Sequence, residues 1–294
     1  MHKSGFVNIV GNPNVGKSTL MNLLVGERIS IATFKAQTTR HRIMGILNTP
    51  DMQIVFSDTP GVLKPNYRLQ EQMLAFSESA LKDADVLLYV TDMVETPDKN
   101  ADFLEKVQKM KVPVIVLINK IDLGDQKSLQ QKYDQWHEVM PNAEIMPISA
   151  MHKFGVDQVL KRIEELLPEC PAYFDKDQFT DKPARFFVTE IIREKILLYY
   201  DKEIPYSVEV MVEEFHETEK TIRIRAIIYV ERESQKGIII GHGGVALKKV
   251  STEARKQLEK FFQKSIYLET VVKVDKDWRQ SAKAMKQFGY DLNE

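Results

Sequence analysis

The amino-terminal half of the chain alternates short apolar runs with longer amphipathic stretches. Runs that are apolar at nearly every position are typical of strands covered by helices on both faces, and apolar residues at three-to-four spacing are typical of helices. We predict strands at residues 6–10, 42–47, 53–56, 86–90, 114–118 and 144–148, and helices at 17–25, 70–82, 101–109 and 156–167. Their alternation predicts an α/β domain with a doubly wound, mostly parallel sheet.

The pattern changes after residue 167. Residues 168–183 contain three prolines and many polar side chains, which favours a boundary between domains. Beyond it we predict a helix at 184–199, an antiparallel pair of strands at 207–215 and 221–230, a glycine loop followed by an amphipathic helix, and a last strand at 266–274. The chain is therefore predicted to divide into an α/β domain at 1–170, a linker at 171–183 and an α+β domain at 184–294.

Length and composition agree with two folded domains. The chain has 294 residues, of which 43% are hydrophobic and 28% charged, and this excludes a disordered or collagen-like protein. No apolar run approaches the ~20 residues of a membrane-spanning helix, and the amino terminus shows no secretory signal. The single cysteine, Cys170, fits a reducing compartment. We therefore expect a cytoplasmic protein.

Charge is balanced over the chain but uneven along it. Lys and Arg number 41 against 42 Asp and Glu, a formal net charge of −1, so no molecule-wide field attracts a polyanion. Residues 236–264, however, contain seven Lys and Arg and two acidic residues. A nucleic-acid site is therefore expected in this segment.

A phosphate-binding loop is predicted between the first strand and the first helix. The residues GNPNVGKS at 11–18 match GxxxxGK[ST], a loop whose backbone N–H groups surround phosphates at the start of a helix. We expect Lys17 to reach the β and γ phosphates and Ser18 to ligate Mg²⁺. The predicted nucleotide contacts of this loop are Gly11, Asn12, Pro13, Asn14, Val15, Gly16, Lys17, Ser18 and Thr19.

Two further segments supply the expected metal and γ-phosphate contacts. DTPG at 58–61 follows a predicted strand, which places Asp58 to hold Mg²⁺ through water and the Gly61 N–H to touch the γ phosphate. In the polar segment 31–42, Thr38 or Thr39 can close on the metal when the γ phosphate is present, and we favour Thr39. The predicted catalytic residues are Lys17, Thr39, Asp58 and Gly61, and the further nucleotide contacts here are Thr59, Pro60 and Val62.

The identity of the nucleotide base is predicted from NKID at 119–122, which follows another apolar run. The Asp122 carboxylate can accept hydrogen bonds from guanine N1–H and the exocyclic amine. Adenine offers no matching donors, so such a site can discriminate by on the order of 10⁴. Asn119 would fix the loop and contact the base, and the Lys120 stem would lie against the ring. After the last strand, a backbone N–H for the guanine carbonyl would come from the segment Ser149, Ala150 and Met151.

These four elements, in this order, resemble the small GTP-binding domain of the translation-factor-related GTPases. The resemblance covers the whole first domain and implies hydrolysis of GTP to GDP and phosphate with Mg²⁺. Val62 departs from the Ras-like pattern, which has a water-positioning glutamine at this position. The similar proteins with a hydrophobic residue there imply a K⁺ ion near the P-loop asparagine, here Asn14. We therefore expect slow hydrolysis that K⁺ accelerates relative to Na⁺.

The second domain contains a candidate nucleic-acid loop. GHGG at 241–244 lies between an apolar run and a basic helix. A GxxG turn can be structural, but these surroundings resemble a KH module, whose GXXG loop clamps the backbone of about four single-stranded nucleotides. The apolar residues at 238–240, 245, 247 and 250 could line the groove or belong to the core. The predicted RNA contacts are Lys236, Ile240, Gly241, His242, Gly243, Gly244, Lys248, Lys249 and Arg255.

The chain as a whole resembles the Era/TrmE-like family of bacterial P-loop GTPases that carry a carboxy-terminal type II KH domain. The resemblance rests on QTTRHR at 37–42, DTPG, NKID and a KH-like domain ending in WRQSAKAMKQFGY, and it covers essentially the full length. It implies a monomer that binds 16S ribosomal RNA near its 3′ end and acts in 30S subunit assembly and 16S rRNA maturation. It also implies peripheral contact with the cytoplasmic face of the inner membrane.

Two other functions are compatible with parts of the sequence. The first is a metabolic P-loop NTPase or phosphotransferase with an incidental GxxG loop, and NKID argues against it. The second is an RNA-binding protein with a vestigial GTP site, which the intact Lys17, Ser18 and Asp58 argue against.

Overall fold

The computed structural model describes residues 2–290 of the chain. They form two compact units, residues 2–66 with 70–181 and residues 67–69 with 182–290. The elements up to residue 181 are β1 (Lys3–Gly11), α1 (Lys17–Val25), β2 (Ile43–Asn48), β3 (Met52–Asp58), α2 (Arg68–Ser79), β4 (Val86–Asp92), α3 (Ala101–Gln108), β5 (Val114–Asn119), α4 (Gln126–Val139), β6 (Glu144–Pro147) and α5 (Val156–Leu166).

The sheet of the first unit has the strand order β2-β3-β1-β4-β5-β6. Strand β2 is antiparallel to β3, and the other neighbours pair in parallel. Every residue of β3 and β4 is buried, which explains why these strands are apolar runs rather than alternating ones. The strand order reverses at β1, and sheets of this kind bind ligands at the carboxyl ends of the strands beside such a point. The predicted doubly wound α/β fold is confirmed.

Helix α4 lies in a region where the apolar pattern predicts no element. Its sequence is mostly polar, and Trp136 is its buried residue. The helix is defined instead at its start, where the Asp125 carboxylate accepts the Ser128 N–H at 2.8 Å and the Ser128 hydroxyl lies 3.0 Å from the Asp125 N–H. This reciprocal capping box stabilises the first turn without any apolar periodicity.

Residues 171–181, which we predicted as a linker, pack on the first unit. The Gln53 side chain accepts the N–H groups of Tyr173 (2.7 Å) and Phe174 (3.0 Å) and donates to the Phe174 carbonyl at 2.9 Å. Further along, the Ile46 N–H donates to the Phe179 carbonyl at 2.9 Å. Because β2 is one of the two edge strands of the sheet, this segment lies along its otherwise unpaired edge.

The second unit has the elements α6 (Ala184–Tyr199), β7 (Glu209–Glu217), β8 (Thr221–Val230), α7 (Glu233–Ile240), α8 (Val245–Phe262), β9 (Ser265–Val274) and α9 (Ala282–Gln287). Strand β8 is the centre of a three-stranded sheet, antiparallel to β7 and parallel to β9. The apolar run before the glycine loop is the end of helix α7, and the predicted α+β class is confirmed. Among residues 2–290, no helix is both long and apolar enough to cross a bilayer.

Candidate functional site

The loop after β1 wraps around the start of α1. Gly16 adopts a φ of 98°, and a Cβ there would lie 2.2 Å from the side-chain nitrogen of Asn119, so a larger residue would strain the loop. Lys17 begins α1, is buried, and donates to the carbonyls of Gly11 (3.0 Å) and Asn12 (2.8 Å). The ammonium group is therefore held along the inside of the loop, where a phosphate-binding lysine is required.

The charges of Lys17 and Asp58 are both buried, and burial shifts both pKa values toward the neutral form. Burial lowers the pKa of Lys17 to about 8, although the negative charges of Asp58 and Glu95 oppose the shift. Burial likewise raises the pKa of Asp58, against hydrogen bonds from Ser18 and Thr39 and the charge of Lys17. Strongly perturbed pairs of this kind are concentrated at functional sites.

Three oxygen-bearing side chains meet beside Lys17. The Ser18 hydroxyl lies 2.8 Å from the Thr39 hydroxyl and donates to Asp58 Oδ2 at 2.7 Å, and the Thr39 hydroxyl donates to the same oxygen at 3.2 Å. Thr38 instead contacts the Thr33 hydroxyl and the Lys35 carbonyl. The structure therefore brings Thr39, rather than Thr38, to the predicted metal-binding residues.

The same cluster fits the ligand preference of Mg²⁺. It presents hard oxygen donors, and the buried Asp58 Oδ1 has no hydrogen-bond partner among residues 2–290. In that described part of the chain, no group of three or more His, Cys, Asp or Glu side chains could hold a metal on its own. A cation at this cluster would accordingly need further oxygen ligands, which nucleotide phosphates provide.

The segment after β3 is seated against the phosphate loop. A Cβ on Gly61 would lie 2.6 Å from the Cα of Pro13, so glycine is needed for this close approach. The Val62 N–H donates to the Gly11 carbonyl at 3.0 Å. Val62 is also a predicted nucleotide contact, and its side chain is buried in the hydrophobic core beside residues such as Val10. Gly61, rather than the Val62 side chain, lines the cavity.

The NKID segment and the loop after β6 are joined by Asn119. Its side chain donates to the Val15 carbonyl at 2.8 Å and accepts the Ala150 N–H at 2.9 Å, linking three loops of the site. The exposed Asp122 carboxylate accepts a hydrogen bond from the Ser149 hydroxyl at 2.5 Å. That bond, the largest cause, lowers the pKa of Asp122, so the carboxylate is an ionised acceptor.

Lys120 lies across the loop opening with a φ of 59°. Its ammonium donates to the Asn14 carbonyl at 2.5 Å and to Asp92 Oδ2 at 2.8 Å. Burial would raise the pKa of Asp92, but hydrogen bonds from Lys120 and from the N–H groups of Val94 and Glu95 lower it. Asp92 therefore positions the Lys120 side chain. The sequence analysis did not single out Asp92, because its place at the end of a strand was its only signal.

A cavity of about 370 Å³ opens among these loops. Fifteen residues of its lining belong to the phosphate loop with the start of α1, to the threonine-bearing segment 32–39, and to Thr59 and Gly61. The other two, Lys120 and Met151, lie on the loops predicted to contact the base. Met151 is 80% exposed and Phe34 is 74% exposed. The lining residues that sequence reasoning missed are Ala32, Thr33, Phe34, Lys35 and Gln37.

The glycine loop of the second unit is open. Gly241, Gly243 and Gly244 have φ angles of 71°, 57° and 77°, and a Cβ on Gly243 or Gly244 would meet no described atom within 4 Å. His242 is exposed between them. Another molecule's backbone can therefore approach this loop closely.

The predicted RNA contacts around the loop differ in their surroundings. Lys248 and Lys249 are exposed on α8, with the Lys249 ammonium 4.4 Å from the Tyr199 ring centre. Arg255 forms an ion pair with Glu259 at 2.7 Å. Lys236 and Ile240 are partly buried. Of the apolar residues proposed for the groove or the core, those at 238 and 245 are exposed, whereas those at 239 and 250 are buried in the core.

Comparison with known proteins decides the family. The model of the 50S ribosome-binding GTPases matches residues 6–120, and that of the KH domain matches residues 203–279. A GTPase Era of Heliobacterium modesticaldum is 43% identical, and one of Staphylococcus haemolyticus 42% identical, each over 98% of this chain and 97% of its own length. The chain belongs to the Era family of GTPases.

Solved Era structures share both domains. Era in complex with MgGDPNP and nucleotides 1506–1542 of 16S ribosomal RNA matches with a TM-score of 0.95 and 39% identity, covering 99% of this chain and 100% of that one. A variant of Aquifex aeolicus Era bound to GDP·AlF4⁻ matches over the same shares with a TM-score of 0.94 and 39% identity. The resemblance stated from the motifs is confirmed, and the chain is a GTPase with a carboxy-terminal KH domain.

Proposed function

We propose that this Era-family GTPase binds 16S ribosomal RNA near its 3′ end through the KH domain and acts in 30S subunit assembly and 16S rRNA maturation. The observation that carries the proposal is the union, in one chain, of an assembled nucleotide pocket and an open glycine loop. The full-length match to Era in complex with MgGDPNP and a 16S rRNA fragment supports both halves.

The nucleotide half of the proposal assigns a role to each part of the pocket. Backbone N–H groups of the phosphate loop and the Lys17 ammonium bind the β and γ phosphates, and the Gly61 N–H donates to the γ phosphate. Ser18 and Thr39 would ligate Mg²⁺, with Asp58 holding it through water. The bound ion would neutralise charge on the phosphates. The guanine base is placed by Asn119, Lys120 and Asp122, with the Ala150 N–H facing its carbonyl.

Hydrolysis is expected to be faster in K⁺ than in Na⁺. Val62 is buried and cannot orient water, so the attack needs other electrostatic help, and Asn14 at the mouth of the loop is the candidate K⁺ ligand. We expect turnover in K⁺ to exceed that in Na⁺ about tenfold, and Asn14→Ala to remove most of the difference. Phosphate release in matched salts of the two ions measures this. Equal rates in both salts, or an unchanged ratio in the variant, would refute the role of Asn14.

The RNA half is tested at the glycine loop. Replacing His242 and Gly243 by Asp puts two negative charges where phosphates would approach, so affinity for a short single-stranded 16S rRNA fragment should fall at least about a hundredfold. GTP binding should be unaltered. Filter binding at several salt concentrations should also show a steep loss of wild-type affinity with salt, because phosphate contacts release counterions.

A control for charge comes from the turn between β7 and β8. Lys220 is exposed there, and Lys220→Asp changes the net charge by the same two units as the double substitution. We expect this variant to keep RNA affinity within about threefold of wild type. RNA binding that survives the change at the glycine loop, or falls equally in both variants, would contradict a KH-mediated site.

Three further features of the proposal rest on the family resemblance. We propose a monomer in the cytoplasm that contacts the inner membrane peripherally. Size-exclusion chromatography with light scattering tests whether the protein is a monomer. Cosedimentation with vesicles of anionic lipid tests the membrane contact.

A further inference from the structure

Asn100 occupies the N-cap position of α3, but its side chain does not cap the helix. An asparagine there commonly accepts a backbone N–H from the first turn, whereas the Asn100 side chain makes no such bond within the described chain. Its amide nitrogen donates instead to Asn12 Oδ1 at 2.6 Å and to the Val62 carbonyl at 3.0 Å. Both amide hydrogens are therefore used on two loops of the nucleotide pocket.

The orientation of this bridge is set by Glu95. A carboxylate accepts hydrogen bonds but donates none, and Glu95 Oε2 accepts from the side-chain nitrogen of Asn12 at 2.6 Å. Asn12 must then present its oxygen to Asn100, and Asn100 its nitrogen. Glu95 is itself held by the Lys99 ammonium at 2.6 Å. Acceptors at the two ends, the Glu95 carboxylate and the Val62 carbonyl, thus determine the direction of every amide between them.

The bridge completes the anchoring of the peptide groups around Val62. The Val62 N–H already donates to the Gly11 carbonyl at 3.0 Å, and Asn100 holds the Val62 carbonyl. Gly61, one residue earlier, lies against Pro13. The position of the Gly61 N–H relative to the phosphate loop therefore depends on Asn100, although Asn100 does not line the cavity.

We propose that Asn100 is a positioning residue for GTP hydrolysis. By tying the Val62 carbonyl to Asn12, it holds the Gly61 N–H in position to donate to the γ phosphate. The inference rests on the role of Gly61 in the proposed function. GDP has no γ phosphate, so the contribution of Asn100 is confined to GTP and to the transition state. A residue that merely stabilised α3 would affect GDP and GTP alike.

The test compares two amide-to-acid substitutions on α3 in the full chain. Asn100→Asp keeps the size and capping ability of the side chain but removes both donors and turns a carboxylate toward two oxygens. Gln108→Glu at the other end of α3 removes an amide that donates to the Val139 carbonyl at 2.8 Å and lies outside the pocket. The measurements are kcat and KM for GTP, the Kd values of GDP and GDPNP, and thermal unfolding.

We expect Asn100→Asp to lower kcat about tenfold or more. Without the bridge, the Gly61 N–H is no longer positioned to stabilise the charge that develops on the γ phosphate. Its preference for GDPNP over GDP should fall, its GDP affinity should stay within about twofold of wild type, and Gln108→Glu should keep the wild-type kcat. Asn100→Ser, which can cap α3 but cannot bridge, should behave as Asn100→Asp and replaces it if that variant does not fold.

The proposal is overturned if both Asn100 variants keep kcat within about twofold of wild type, if Gln108→Glu loses as much, or if GDP affinity falls together with turnover. A wild-type chain that bound both nucleotides without hydrolysing GTP would instead contradict the proposed catalytic assignments. In that case the ratio of GDPNP to GDP affinity still decides the role of Asn100.

Discussion

Replacing Asp122 with asparagine is expected to weaken GTP binding by about 10²–10⁴-fold. The carboxylate would accept two hydrogen bonds from guanine, and bonds to a charged group contribute about 1.5–3 kcal/mol each. An amide in its place turns its own N–H₂ toward the guanine amine. Xanthine has a carbonyl at that position, so xanthosine triphosphate should become the preferred ligand. Titration calorimetry with GTP, xanthosine triphosphate and ATP measures the change.

The neighbouring Asp125 supplies the control for Asp122. Asp125→Asn is the same substitution in the same loop, but the Asp125 carboxylate caps α4 through the Ser128 N–H and does not face the pocket. We expect little change in unfolding free energy, because asparagine and aspartate cap helices about equally well, and unchanged GTP affinity. Asp122 is exposed, so its variant should fold normally. GTP binding by the Asp122 variant within threefold of wild type would refute guanine recognition by this carboxylate.

Replacing Lys17 with alanine is expected to reduce GTP turnover by about 10³-fold or more. The buried ammonium is directed along the phosphate loop by the Gly11 and Asn12 carbonyls, and its charge would stabilise the phosphates in surroundings that exclude water. Losing one preorganised group aimed at developing charge typically costs 10²–10³ in rate, and this one also binds the ground state. Single-turnover phosphate release separates the two losses.

Lys176 offers a matched comparison for Lys17. Its ammonium also donates to a backbone carbonyl, that of Thr49 at 2.7 Å, in the same unit. Lys176→Ala should leave turnover within about twofold of wild type. Turnover in the Lys17 variant as high as in the Lys176 variant would refute the role of Lys17 in hydrolysis.

The positions of the nucleotide-binding motifs could be predicted because each is a property of the local backbone. The phosphate loop needs glycine at Gly16, where φ is positive and Asn119 is close. DTPG and NKID follow apolar strands whose carboxyl ends share one edge of the sheet. These assignments needed spacing and strand pattern, and no knowledge of packing.

Contacts between distant segments could not be predicted. The choice between Thr38 and Thr39 depends on how segment 31–42 folds over Ser18, and that path is set by tertiary contacts. The network of Asn12 and Asn100 joins residues 88 positions apart. Asparagines carry no pattern that would pair them. Helix α4 could not be predicted from apolar periodicity, because Trp136 is its buried residue and a capping box fixes its start.

The segment 171–181 shows why composition misleads about boundaries. Its polar residues and flanking prolines suggest a flexible connection, yet Gln53, on β3, satisfies three of its backbone groups. A single glutamine in a buried strand gives no sign of such a partner.

This segment also has a consequence for solubility. An outermost strand with open N–H and C=O groups is a template on which other chains can assemble. The pairing of Gly45 with Thr180 and of Ile46 with Phe179 removes that template from β2. A shortened chain meant to carry the GTPase unit alone should therefore extend to Asp181, since one that stops at Cys170 would expose an aggregation-prone border.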